Sequence, residues 1–164
     1  MKKILMILFA IVVIAVNIGC DQVSKEYART HFKDKPDISI ANHLFVITYA
    51  ENNGGFLSVG SNIDKSIKPI IMIIVPVIVL ALVLIFLFVA KNISTLELFL
   101  LCNIVGGGMS NIYDRIIHNG YVTDFLNVGI GNIRTGVFNI ADMAILFGLI
   151  GLVIIQFTKK GTPN

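Results

Sequence analysis

The amino-acid sequence predicts an all-α membrane protein of four transmembrane helices, with a small β-containing cap formed by its two longer loops. Three observations predict it. Only 14% of residues are charged, where a soluble domain carries about a quarter, while 55% are hydrophobic and mean hydropathy is +0.84. Apolar stretches near the length needed to cross a bilayer recur four times, at about residues 4–20, 69–90, 96–115 and 138–157. The intervals 21–68 and 116–137 are more polar, and each contains β-branched and aromatic runs or glycine punctuation. The 164 residues fit one domain.

A hydrocarbon core of about 30 Å is climbed at about 1.5 Å per residue, so a spanning helix needs about 20 apolar residues. The first stretch, Ile4 to Cys20, is slightly short, and the helix-compatible "DQVSKEYA" extends it. Its end, Gly19-Cys20, has the form of a lipoprotein precursor's processing box. Asn17 stands where that box prefers an aliphatic residue, and three further spans follow, so the first span is read as retained. The interval after it contains "ISIANHLFVITYA", read as a strand or two.

The second span, Pro69 to Ala90, is unbroken apart from Pro76, which predicts a kink that bundle neighbours accommodate. The third, "LELFLLCNIVGGGMSNIYDR", is interrupted by polar residues and three glycines. It suits a position whose Gly and Asn side meets other helices, because small residues allow close backbone approach. "GYVTDFLNVGIGNIRTGVF" then reads as a hairpin. In the fourth span Ala144, Gly148 and Gly151 form a small-residue stripe suited to packing on the third.

Charge counting alone does not orient the chain. Lys2, Lys3, Lys91, Lys159 and Lys160 lie on one side and eight basic residues on the other, so a plain tally favours placing the loops inside. Short flanks weigh most, however, and long loops cross regardless of charge. The "MKK" start and the "KK" near the end therefore place both termini in the cytoplasm and the cap outside. A net charge of +3 without a basic patch gives no sign of a nucleic-acid partner. Cys20 and Cys102 lie in apolar stretches and fit neither a disulfide framework nor a zinc spacing. His31, His43 and His118 lack partners at ligand spacing, so no metal is expected.

The chemistry rests with carboxylates at the span ends: Asp21, Asp114, Asp124 and Asp142. A charge at that depth costs a few kcal/mol and is a functional suspect. Asp142, in "FNIADMAILFG", falls in the first turns of the fourth span, and Asp124, in "YVTDFLNV", lies in an apolar flank. Seventeen residues separate them, enough for a hairpin that returns to the membrane surface. Two carboxyls brought together share a proton, giving one anion able to take a proton from water and one acid able to donate to a carbonyl. That pair hydrolyses an amide without metal or cofactor. The structural alternatives are a first-turn helix acid for Asp142 and a turn residue for Asp124. A proton-coupled carrier would instead distribute its acids at several depths. A purely structural protein would leave the two acids apart. Ser24, Ser58 and Ser110 are the remaining nucleophile candidates; Ser58 lacks an obvious base, and Ser110 beside three glycines suits helix packing.

In order along the chain, "DQVSK", "ENNGGFLSVG", "GGGMSNIYDR", "YVTDF" and "VFNIAD" resemble the blocks of lipoprotein signal peptidase, or signal peptidase II, over nearly the whole length. The resemblance implies an aspartic endopeptidase of the bacterial cytoplasmic (inner) membrane, with its active site near the outer face. Its substrates would be diacylglyceryl-modified prolipoproteins, cut just before the lipidated cysteine. It implies Asp124 and Asp142 as the catalytic pair, and Asn52 and Gly54 in the substrate-contacting block. Asn111 and Arg115 would steady the pair and hold a substrate carbonyl, with Asn139 alongside. Asp21 and Lys25 would form a supporting polar pair, and Asp114 would be structural, paired with a neighbouring base. No cofactor, a monomer in membrane lipid, and inhibition by the cyclic peptide globomycin are further expectations. The chain departs from the usual "NxGAAF", with Gly55 at an alanine position and Phe56 and Leu57 shifting the aromatic by one. Ser110 replaces the usual glycine before Asn111.

Overall fold

Four apolar helices carry a four-stranded antiparallel sheet at one end of the bundle. The structure is a computed structural model and describes residues 2–55, 60–90 and 92–160. Phe56, Leu57 and Ser58 of the variant block, and Lys91, lie outside the described residues, as do the side chains of Lys2, Lys159 and Lys160.

Helix α1 runs Lys2–His31 without a break. The interval expected to begin at residue 21 therefore begins after His31. Its polar last turns stay helical because Asp21 and Lys25, four apart on one face, pair at 2.6 Å with both side chains fully buried. Strands β1 (Ile38–Ile40) and β2 (Phe45–Asn52) follow where the β-branched run predicts them.

Before α2 (Val75–Val89) the chain makes one π turn over Ile70–Ile74, in which the Val75 N–H reaches the Ile70 carbonyl. This is how the second span absorbs Pro76. Proline lacks an N–H and clashes with the carbonyl four residues back, and the wider turn relieves both.

Helix α3 (Thr95–Ile117) begins in a Ser94/Glu97 capping box and is the hub of the bundle. Over half of its apolar window is buried inside the protein, against 6% for α1. The three glycines are the reason. A Cβ on Gly106 would sit 2.7 Å from Asn17 of α1, on Gly107 2.5 Å from the Ala141 carbonyl oxygen, and on Gly108 2.8 Å from Leu80 of α2. Each faces a different helix. Helix α4 (Ile140–Lys160) meets α3 as its small-residue stripe predicts, with Gly148 against the Leu100 carbonyl and Gly151 against the Leu100 side chain.

Between α3 and α4 lie β3 (Val122–Ile130) and β4 (Ile133–Arg134), the expected hairpin, and the sheet order is β1-β2-β3-β4. Phe138, just before α4, pairs with Leu126 on the edge of β3. The register matches Ile38 with Ile47, Ile47 with Leu126 and Ala50 with Asp124. A bulge in β2 between Ile47 and Ala50 shifts the alternation. Without it, strict alternation would carry Glu51 on the Ile47 face; with it, Ala50 and Asn52 share the face of Asp124.

Candidate active site

The Asp124 side chain projects from the start of β3 toward the first residues of α4 and is 1% exposed. It accepts two hydrogen bonds, from Asn52 Nδ2 at 2.8 Å and from Asn139 Nδ2 at 2.6 Å. The first depends on the β2 bulge, which turns Asn52 onto this face.

Asn139 also opens α4. Its Oδ1 accepts from the Asp142 N–H at 2.9 Å, while its own N–H donates to Asp142 Oδ2 at 3.3 Å. Asp142 is therefore a first-turn helix acid, as its structural reading supposes, and it also takes part in the polar cluster. Its other oxygen accepts from Asn111 Nδ2 at 2.9 Å. Asn139 thus bonds both carboxylates, Asp124 through its side-chain amide and Asp142 through its backbone N–H. Asn111 Oδ1 in turn accepts from Lys25 Nζ at 2.9 Å, which ties the pair to the buried cation of α1.

Both acids line one cavity of about 170 Å³, together with Asn52, Asn111 and Arg115. Pro76 of α2 and Ile145 of α4 form its apolar wall. The space suits a peptide group and a water molecule. Arg115 donates to the Gly54 carbonyl at 2.6 Å and to the Asn111 carbonyl at 3.2 Å. Its Nε is buried without a partner among the described residues. Gly54 contributes backbone only, its N–H donating to Asn52 Oδ1.

Burial pushes the Asp124 carboxyl up to about 7, and the neighbouring Asp142 charge adds to the rise. The amides of Asn52 and Asn139 favour its anion and oppose that shift, without cancelling it.

A second polar cluster lies behind the first. Lys25 Nζ reaches Asp21 at 2.6 Å and Asp114 at 3.2 Å, and Arg29 reaches Asp114 at 3.1 Å. Asp114 is thus paired with bases, and its Oδ2 also accepts from the Thr123 N–H, fixing the start of β3. Asp21 accepts from the Ala141 N–H of α4 at 2.8 Å and from the Ser110 hydroxyl at 2.7 Å. Gln22, Ser110 and Thr123 lie inside the quoted blocks without a polar role being assigned to them, and Arg29 lies outside those blocks. Gln22 bonds Ser110 and Asp114, and Arg29 bonds Thr123. A signal existed for Arg29, since 21, 25 and 29 share one helical face. Ser110 does more than pack: it links α1 to α3 through a hydroxyl that the usual glycine would lack.

The family model described as Signal peptidase (SPase) II matches residues 10–158. The chain is 34% identical over 160 residues to a lipoprotein signal peptidase of Borrelia duttonii (strain Ly), covering 94% of this chain and 93% of that one. It is 37% identical over 145 residues to a lipoprotein signal peptidase of Francisella tularensis subsp. novicida (strain U112), covering 87% and 88%. Two solved structures described as bacterial membrane enzymes share the fold. The first superposes with a TM-score of 0.82 at 22% identity, covering 95% of this chain and 92% of its own; the second with 0.76 at 24%, covering 90% and 92%.

Proposed function

The chain belongs to the signal peptidase II family, and from that premise we propose that it is an aspartic endopeptidase that removes the signal peptide of lipid-modified prolipoproteins. The observation that carries the aspartic reading is the sharing of Asn139 by Asp124 and Asp142 on the wall of one cavity.

Asp124, pushed up to about 7, is the protonated member, and Asp142, held by Asn111 and the Asn139 N–H, is the anion. Water lying between them attacks the scissile carbonyl carbon. Asp142 takes the water proton while Asp124 gives its proton to the carbonyl oxygen. The tetrahedral diol then collapses: Asp142 protonates the leaving nitrogen, Asp124 recovers a proton from one hydroxyl, and the C–N bond breaks. Both acids return to their starting states. Arg115, with one N–H uncommitted, and Asn52 hold the substrate backbone at the cavity mouth beside Gly54.

The substrate is a prolipoprotein already carrying diacylglycerol, cut just before the lipidated cysteine. The apolar wall of Pro76 and Ile145 supports access from the lipid side. The enzyme lies in the bacterial inner membrane with both termini cytoplasmic and the cavity near the outer face. It works as a monomer without cofactor, and globomycin-type cyclic peptides inhibit it.

Single replacements Asp124→Asn and Asp142→Asn test the proposal, because they keep shape and remove the acid. Each lowers kcat/KM on a lipid-modified precursor by at least about 100-fold, the usual contribution of a general acid or base. The variant protein remains in the membrane while precursor accumulates. Normal processing by either variant overturns the assignment.

A further inference from the structure

Helices α1 and α2 approach α3 closely at one level and diverge away from the sheet. A Cβ on Gly106 would lie 3.2 Å from the Ile14 carbonyl oxygen of α1, and one on Gly108 2.8 Å from Leu80 of α2. These glycines draw both spans inward. About two turns nearer the start of α3 stands Leu98, a buried and bulky side chain. Over it α1 and α2 leave a crevice of about 600 Å³, at the end of the bundle remote from the sheet. Its walls include Met6 and Ala10 of α1 and Leu84 and Phe88 of α2. Lys3 is the one charged group among the described residues that line it. No described carboxylate forms an ion pair with Lys3.

An apolar crevice between spans takes either a helix or a hydrocarbon chain. A helix with its side chains is about 10–12 Å across, so about one turn would fill this volume. An acyl chain needs only a narrow apolar slot, and its headgroup then lies at the mouth, where Lys3 is. A lysine near a span end runs its stem along apolar surface and holds its ammonium at headgroup level. Charge at this end of the bundle selects the headgroup. Lys2, Lys3, Lys91, Lys159 and Lys160 lie toward it in the chain, and of the ten acidic residues only Glu97 does. Glu97 lines a different crevice, with Leu101 of α3 and Leu152 of α4.

We propose that the α1–α2 crevice is a binding site for one anionic phospholipid, with an acyl chain between the two spans and the phosphate held by Lys3. Basic pockets between spans bind acidic headgroups in this way. The inference goes beyond the peptidase reading. The crevice shares no lining residue with the cavity of Asp124 and Asp142, and its test reads no activity.

The sequence contains no tryptophan, so single reporters are available. Phe88→Trp places one beside this crevice and Phe86→Trp one beside the crevice that Glu97 lines; both phenylalanines are more than half exposed. The full chain is reconstituted into vesicles of phosphatidylcholine and phosphatidylglycerol, with brominated acyl chains on one lipid or the other in equal amounts. At Phe88→Trp the relative binding constant favours phosphatidylglycerol at least about threefold, the scale of attraction between one lysine and an acidic lipid surface. Adding Lys3→Gln brings the two lipids to parity, and Phe86→Trp reports parity throughout. Equal quenching by the two lipids at Phe88→Trp overturns the proposal, and so does an excess that survives Lys3→Gln. The same excess at Phe86→Trp also overturns it, since general charge attraction would then account for the preference. Quenching by neither lipid would seat a second copy of the chain in the crevice and overturns it equally.

Discussion

Asn139 holds one acid group through its side-chain amide and the other through its backbone N–H, yet the proposed chemistry turns on a different amide, that of Asn52. Its Nδ2 donates to Asp124 Oδ2 and favours the anion, against the burial that raises this carboxyl to about 7. In the proposed mechanism Asp124 must be protonated, so activity falls as pH rises through about 7. Asn52→Ala removes a donor to the anion, and the alkaline limb of the kcat/KM profile moves to higher pH; an unmoved limb would deny Asp124 the acid's role. Folding carries the same sign. The native state holds this proton more tightly than the unfolded chain, so the Asp124 contribution to stability declines from the ordinary carboxylate range up to about 7 and is level above it. At this scale the sequence was legible where residues were costly. Asp124 and Asp142 stand out because charge at a span end needs a reason. Ser110 did not, because its partner Asp21 is 89 residues away and a serine beside glycines carries no cost that asks for one.

The elements show where pattern succeeds and where it stops. Four spans follow from apolar length, and α3 follows from glycines that would be poor helix formers facing lipid. The β2 bulge does not follow, because "FVITYAEN" alternates well enough to suggest an unbroken strand. Only its pairing with β3 shows that Asn52, and not Glu51, lies over Asp124. The glycines yield a graded prediction. In Gly107→Ala the new methyl would lie 2.5 Å from a backbone carbonyl of α4, one residue before Asp142, and neither helix can yield alone. Destabilisation of about 1–3 kcal/mol is expected from such overpacking, together with a fall in kcat as the Asp142 turn shifts. In Gly108→Ala the nearest atoms belong to the Leu80 side chain and not to backbone, so the cost is smaller than in Gly107→Ala. Thermal unfolding in detergent and the processing rate, measured on both, separate the two. Equal losses would show that α3 lacks the three-sided fit described.

For the whole molecule, the side of the bilayer that the cap occupies decides whether the proposed chemistry can reach its substrate. Four spans put both chain ends on one side and both strand-bearing segments on the other. The charge tally that opposed an outer cap counted eight basic residues on the cap side. Three of them belong to helices instead: Lys25 and Arg29 lie in α1 and Arg115 in α3. By the same measure Lys2, Lys3, Lys159 and Lys160 belong to α1 and α4, so the helix bounds do not change which way the tally points. What remains is a requirement of the chemistry: an acid pair that cuts an exported precursor beside its lipidated cysteine must lie at the outer surface. Single-cysteine labelling tests this in a background where Cys20 and Cys102 are replaced by Ala. Ser39→Cys on β1 reacts with a membrane-impermeant maleimide in intact spheroplasts, whereas Asn92→Cys, in the short turn between α2 and α3, reacts only after permeabilisation. The reverse pattern would set Asp124 and Asp142 against the cytoplasm, where the proposed substrate does not present its cleavage site, and the peptidase reading would have to be abandoned while the fold stood unchanged.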